Sequence, residues 1–202
     1  MKSLLASAAV LALLAVPAAA QSNSGTTSNP EHLTQQDGNF AHQAAIGNLT
    51  EIEAGRAAEQ HGASAAVREF GHWLVTDHTL AQQLLELSVR YTNIQLPRSL
   101  DPQHQQMVQG LSHESGQQFD RKFLTTMVQD HQRDAAEYQR EAQDGHGRLK
   151  GYAMLTLPAV QAHMQEAQRL EGMAHGGGMA GGAQGAGGSA AVGSGSTPSN
   201  PQ

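Results

Sequence analysis

Between about residue 37 and residue 174 the apolar side chains of this chain recur at the spacing of a helix, and strand-like alternation is absent. Three of the helical stretches carry one histidine in the middle of the apolar stripe. Taking 100° of rotation per residue, Val67, Phe70, Leu74, Ala81 and Leu85 share a face, and His78 falls inside it. Phe119, Phe123, Leu124, Met127, Ala135 and Tyr138 share a face with His131, and Asp120 lies on it three turns earlier. Tyr152, Thr156, Ala159, Val160, Ala167 and Leu170 surround His163. A buried imidazole is costly unless its ring nitrogens find partners, so three at matching depth point to one shared polar site.

Height agrees with direction. Each histidine stands roughly fourteen residues from the expected start of its helix, about 20 Å at 1.5 Å per residue. Near-central positions stay level whether neighbouring helices run parallel or antiparallel.

The helices are expected as follows. The first runs over about 37–61 and stops near Gly62; the second is capped by Ser64 and continues to about Asn93. Leu96-Pro97 and Asp101-Pro102 form a break, and Pro102 suits the first turn of a short helix to about Ser112. Long helices follow over about 117–143 and about 148–174, separated by the Asp144-Gly145-His146-Gly147 loop, with Pro158 kinking the last of them. The order long, long, short, long, long predicts an all-α, ferritin-like four-helix bundle. The short helix is then the crossover between the second and third long ones.

The ends of the chain differ in composition from its middle. Met1, Lys2, the apolar run Leu4–Val16 and Ala18-Ala19-Ala20 match a Sec-type signal peptide with cleavage after Ala20. The run is too short to span a bilayer as a helix. Residues 21–36 read as a flexible leader, 37–174 as the helical domain and 175–202 as a Gly/Ser/Ala-rich disordered tail. The expected location is periplasmic or secreted, with no stable membrane insertion after cleavage.

Cysteine is absent, so any metal must be held by His, Asp, Glu or Met. The net charge is −6 and no basic patch or basic helix appears, which argues against nucleic acid as a partner. Neither a Ser-His-Asp set nor a phosphate loop is present.

The candidate metal ligands are His78, His131 and His163, with Glu51 or Asp120 as an oxygen donor. Iron, copper, manganese and zinc all tolerate such a set. In the first helix Glu51 shares a face with Phe40, Ala44, Gly47, Ala54 and Ala58, and Glu53 shares one with Ile46, Leu49 and Ile52. Periodicity does not separate the two faces; the small residues around Glu51 favour it. The one Glu-x-x-His, Glu69 to His72, points away from the His78 stripe, and His163 and Glu166 have the reversed order. The paired motif of a di-iron oxidase is therefore missing. Asp77 and Asp130 sit toward the sides of their stripes, where they cap or orient neighbours. Met164, Met173, His175 and Met179 form a loose cluster of copper(I)-compatible residues leading into the tail.

Four segments, FAHQAAIGNLTEIEAGRAAEQHG, VREFGHWLVTDHTLAQQLLEL, QQFDRKFLTTMVQDHQRD and TLPAVQAHMQEAQ, resemble the bacterial domain of unknown function 4142 family. The paired Asp-His steps, Phe119-Asp120-Arg121 and Leu157-Pro158 followed by His163 carry the likeness, which extends over about Phe40 to Leu170. The resemblance implies a ferritin-like fold and an exported protein. The expectation is thus an exported helical bundle holding one transition-metal ion through its core histidines. The competing expectation is a non-enzymatic envelope or stress-response bundle that acts through a protein partner, its histidines forming a structural polar network. Catalysis is left open by these residues.

Overall fold

The computed structural model describes residues 33–176, with side chains to residue 174. The signal peptide, most of the leader, and the tail from residue 177, Met179 with it, lie outside the described residues. Five helices form: α1 (Gln35–His61), α2 (Ala65–Val89), α3 (Pro102–Ser112), α4 (Gly116–Asp144) and α5 (Gly147–Gly176). No strand occurs among the described residues, and the fold is all-helical.

Local chemistry sets the helix ends. Thr34 and Asp37 make a reciprocal capping box at the start of α1. The Ser64 hydroxyl accepts the Val67 N–H at 3.1 Å, and Asp101 accepts that of His104 at 2.9 Å with Pro102 in the first turn of α3. Gly116 and Gly147 begin α4 and α5 at φ values of 63° and 54°, where a Cβ would be strained. The second helix ends at Val89, one turn short of the expected Asn93. There Thr92 turns the chain: its N–H and its hydroxyl both reach the Val89 carbonyl, at 2.9 and 2.8 Å. The last helix continues through Pro158.

Packing follows from the stripes. The principal helix neighbours are α1–α2, α4–α5, α2–α5 and α1–α4, with α3 against α1 and α4. Two apolar clusters fill the interior. One contains Phe70, Leu74, Phe119, Phe123, Met127 and Leu170; the other contains Phe40, Leu85, Tyr138, Leu149, Tyr152 and Val160. Along α2 and α4 the chain passes from the first cluster to the second, and along α1 and α5 from the second to the first. Thus α2 and α4 run the same way. His78, His131 and His163 each fall between the two clusters.

Close approach of α1 to α2 depends on two glycines. A Cβ on Gly55 would stand 2.6 Å from the Gly71 carbonyl oxygen, and a Cβ on Gly71 would stand 2.6 Å from that of Gly55. This contact rotates α1 so that Glu51 is buried (2% exposed), while the Glu53 side chain is 46% exposed and pairs with Arg56.

Candidate metal centre

The polar layer between the two apolar clusters is built by four helices. α2 supplies His78, α4 His131 and α5 His163, all nearly fully buried. Their ring centroids are 5.6 Å (His78–His131), 5.3 Å (His78–His163) and 5.3 Å (His131–His163) apart. One nitrogen from each ring lies within 4.8 Å of the others.

Each ring is held through one of its nitrogens. His78 Nδ1 is 3.1 Å from Asn48 Oδ1, His131 Nδ1 is 3.0 Å from the Met127 carbonyl, and His163 Nε2 is 3.0 Å from Asp77 Oδ2. All three partners are acceptors, so these ring nitrogens carry the proton and donate it. The lone pairs therefore sit on His78 Nε2, His131 Nε2 and His163 Nδ1, all of them buried without a hydrogen-bond partner.

Burial keeps the rings neutral. It pushes His78 well below its ordinary value and His131 down to about 3, and neighbouring histidines add to both shifts. Burial lowers His163 as well, against the opposing pull of Asp77. A metal ligand must be deprotonated, and these rings meet that requirement without an added base.

The residues fit a metal ion on the chemistry of the donor set. Three neutral imidazoles present otherwise unsatisfied lone pairs, and each opposite N–H is oriented by an oxygen acceptor, as metal-bound histidines require. Three imidazoles suit zinc, copper or iron better than manganese, which prefers oxygen.

Glu51 is the nearest of the expected oxygen donors. Its Oε1 is 3.8 Å from His131 Nδ1, beside the ring, and its Oε2 has no hydrogen-bond partner. Burial, with Asp134 and Asp130 nearby, raises its pKa well above the ordinary carboxylate range. Asp120 is not brought to the histidines. It stands eleven residues before His131 on α4, about 16 Å along the axis. Its two oxygens accept the N–H groups of Ala63 (2.8 Å) and Ser64 (3.0 Å), where they hold the α1–α2 turn.

The other candidates are placed as follows. Asp77 Oδ2 orients His163 and also accepts Trp73 Nε1–H at 2.8 Å. Asp130 pairs with Arg133 at 2.6 Å near the surface. The exposed His72 pairs with Glu59, and Met173 is exposed on α5.

Three contributors escaped the sequence reading. Asn48 is 1% exposed, and besides His78 it reaches the Tyr152 hydroxyl at 3.2 Å, which meets that of Tyr138 at 2.9 Å. Its signal was available, since it precedes Glu51 by one helical turn. The Met127 carbonyl carries no side-chain signature at all. Trp73 packs edge-on against His163, ring centroids 4.7 Å apart, and its spacing of five residues from His78 gives no hint of this.

The chain belongs to the domain of unknown function 4142 (DUF4142) family, whose profile matches residues 22–170. No curated protein matches the sequence. Among solved structures the chain is similar to the crystal structure of a DUF305 fragment from Deinococcus radiodurans. The TM-score is 0.61 and the identity 16%, over 70% of this chain and 98% of that one. At that identity the likeness is one of fold.

Proposed function

We propose that this protein binds one transition-metal ion in the core of a ferritin-like four-helix bundle, through His78 Nε2, His131 Nε2 and His163 Nδ1. The observation that carries this reading is that three buried imidazoles, each offering a nitrogen within 4.8 Å of the others, each also keep a nitrogen that nothing in the protein satisfies. Had the histidines evolved as a structural network, the rings would bond to one another or to both flanking groups. Here each has one partner on the outside and an unsatisfied nitrogen. Glu51, whose Oε1 is 3.8 Å from His131 Nδ1, is the carboxylate that would supply an oxygen ligand. The ion supplies Lewis acidity or redox chemistry when bound; the chain supplies neutral ligands and the acceptors Asn48, Asp77 and Met127 that aim them.

The bundle topology is inferred from helix direction. With α2 and α4 running the same way, the segment containing α3 acts as the crossover of a ferritin-like arrangement. Export is inferred from the leader at residues 1–20. In keeping with a protein that does not stay in the bilayer, no helix among the described residues is long and apolar enough to cross a membrane.

The test is metal content by mass spectrometry on protein purified without an affinity tag from the periplasm of an expressing cell. His78→Ala, His131→Ala and His163→Ala are measured beside it, with circular dichroism to check their folding. Near-stoichiometric metal that disappears from folded variants is the expected result. Metal-free protein that takes up none of zinc, copper or iron would refute the reading. Sequencing the amino terminus of the same preparation tests cleavage after Ala20.

A further inference from the structure

We propose that the acidic pocket on the α1–α4 side of the bundle is the loading vestibule of the histidine centre. A partly hydrated divalent cation enters it past Asp134 and Glu137 and is handed inward by Glu51. The proposal rests on the metal reading above and adds to it a route and the residues that make it.

The pocket has a volume of about 100 Å³ and connects two environments. That is room for several waters. Its inner wall includes Asn48, Glu51 and His78, two of which contact the polar layer directly. Its outer wall includes Asp134, Glu137 and His104, at the junction of α4 with α3. The Asp134 side chain is 21% exposed and that of Glu51 2%, so the carboxylates are graded from solvent to core.

Glu51 is what makes this more than a group of surface acids. It is buried against the pocket, and its Oε2 has no hydrogen-bond partner. Buried carboxylate oxygens are rarely left so, because the desolvation cost is not repaid. An oxygen that lines this space, with the unsatisfied His78 on the same wall and His131 beside it, has a natural occupant in a cation passing inward.

Gly47 on α1 faces Asp134 across the pocket: a Cβ there would lie in ordinary contact, 3.6 Å, with Asp134 Oδ2, and only a larger side chain would crowd it. Gly47 precedes Glu51 by four residues, and the two share one face of the helix.

Charge favours a cation as well. Asp130, Asp134 and Glu137 line the pocket, against Arg133 and His104. Arg133 is 2.6 Å from Asp130 and 3.7 Å from Asp134, and His104 is held by Asp101 at 2.8 Å. A cleft lined mainly by one sign of charge raises the local concentration of counter-ions and their rate of arrival. On the α2–α5 side of the centre, by contrast, Asp77 is already engaged by both Trp73 and His163.

Stopped-flow mixing of the metal-free full chain with cobalt(II) tests the route. Trp73, the single tryptophan, lies against His163 and reports arrival of the ion by quenching of its fluorescence. At pH 8, above the value of about 7 to which burial raises Asp134, Asp134→Asn should slow loading about tenfold at low ionic strength, with the difference shrinking as salt screens the pocket. The final amplitude and equilibrium affinity should equal those of the wild type. Gly47→Leu, which fills the mouth without removing charge, should slow loading at every salt concentration.

Wild-type rates in both variants, with normal final loading, would overturn the vestibule and leave the metal centre standing. An unchanged on-rate with a faster off-rate in Asp134→Asn would also overturn it, because Asp134 would then be a ligand. A wild-type chain that takes up neither cobalt nor zinc, copper or iron would overturn both proposals.

Discussion

His131 is 1% exposed, and its Nε2 has no hydrogen-bond partner. If the ring is kept for a metal, the metal-free protein carries a cost that leucine would remove. An unsatisfied buried polar atom costs about 1–3 kcal/mol. Against that, leucine loses the hydrogen bond from Nδ1 to the Met127 carbonyl at 3.0 Å, worth about 1 kcal/mol. The carbonyl itself keeps a partner, since α4 is continuous here and the backbone N–H of residue 131 still bonds to it. Leucine has nearly the volume of histidine, so repacking adds little. The net expectation for His131→Leu without metal is a gain of about 1 kcal/mol, or roughly 2–4 °C in Tm.

The same change removes a ligand. Zinc at about one hundred times its Kd should stabilise the wild type by about 2.7 kcal/mol and the variant by nearly nothing. Differential scanning calorimetry after chelation, and again with zinc, reads both effects and should show the order of stabilities reversing. A metal-free His131→Leu variant less stable than the wild type by about 1 kcal/mol or more would refute the reasoning. The ring would then be earning its place as part of a structural network.

Three further outcomes are expected. Asp120→Ala removes the acceptor of two backbone N–H groups and should cost about 2–3 kcal/mol in chemical denaturation, with metal content unchanged; loss of metal from a folded variant would place Asp120 in the centre after all. Gly55→Ala forces a Cβ against the Gly71 carbonyl and the Val75 side chain and should cost about 1–3 kcal/mol, read as a lower Tm; an unchanged Tm would mean that α1 and α2 sit further apart. Glu141 is raised by burial, and by the neighbouring Asp37 carboxylate, from 4.5 to about 7. Between those values the folded state holds a proton that the unfolded chain has released. The stability it contributes is therefore fully present below 4.5 and lost as pH rises through about 7. Glu141→Gln should move the difference from wild type in the variant's favour by about 2 kcal/mol between about pH 4.5 and pH 8.5; a gap that does not change with pH would contradict the shift.

The helices were legible because their signals are local. A Ser64 hydroxyl reaches Val67 three residues on, and Asp101-Pro102 opens α3 whatever the rest of the chain does. The end of α2 was misjudged by one turn because Thr92 folds back onto Val89. That is a contest between two local bonds, and periodicity does not weigh it. Placing the three histidines on apolar stripes at matching heights needed only 3.6 residues per turn and 1.5 Å per residue.

What surrounds those histidines was not legible in the same way. Asn48 finds His78 thirty residues away, and Asp77 finds His163 eighty-six residues away. Asp120 shares a stripe with His131, yet the α1–α2 turn claims both its oxygens. The first helix, rich in alanine and buried over much of its circumference, offered two apolar faces. The rotation that buries Glu51 and exposes Glu53 came from the contact of Gly55 with Gly71.

The sequence by itself determined an all-helical chain and three histidines facing inward at one level, because helix period, caps and breaks act over a few residues. Only the tertiary structure decided which ring nitrogen is tied and which is left open, which carboxylate stands beside them, and where a pocket reaches His78. Those depend on side chains meeting across different helices, and no spacing along one helix specifies them.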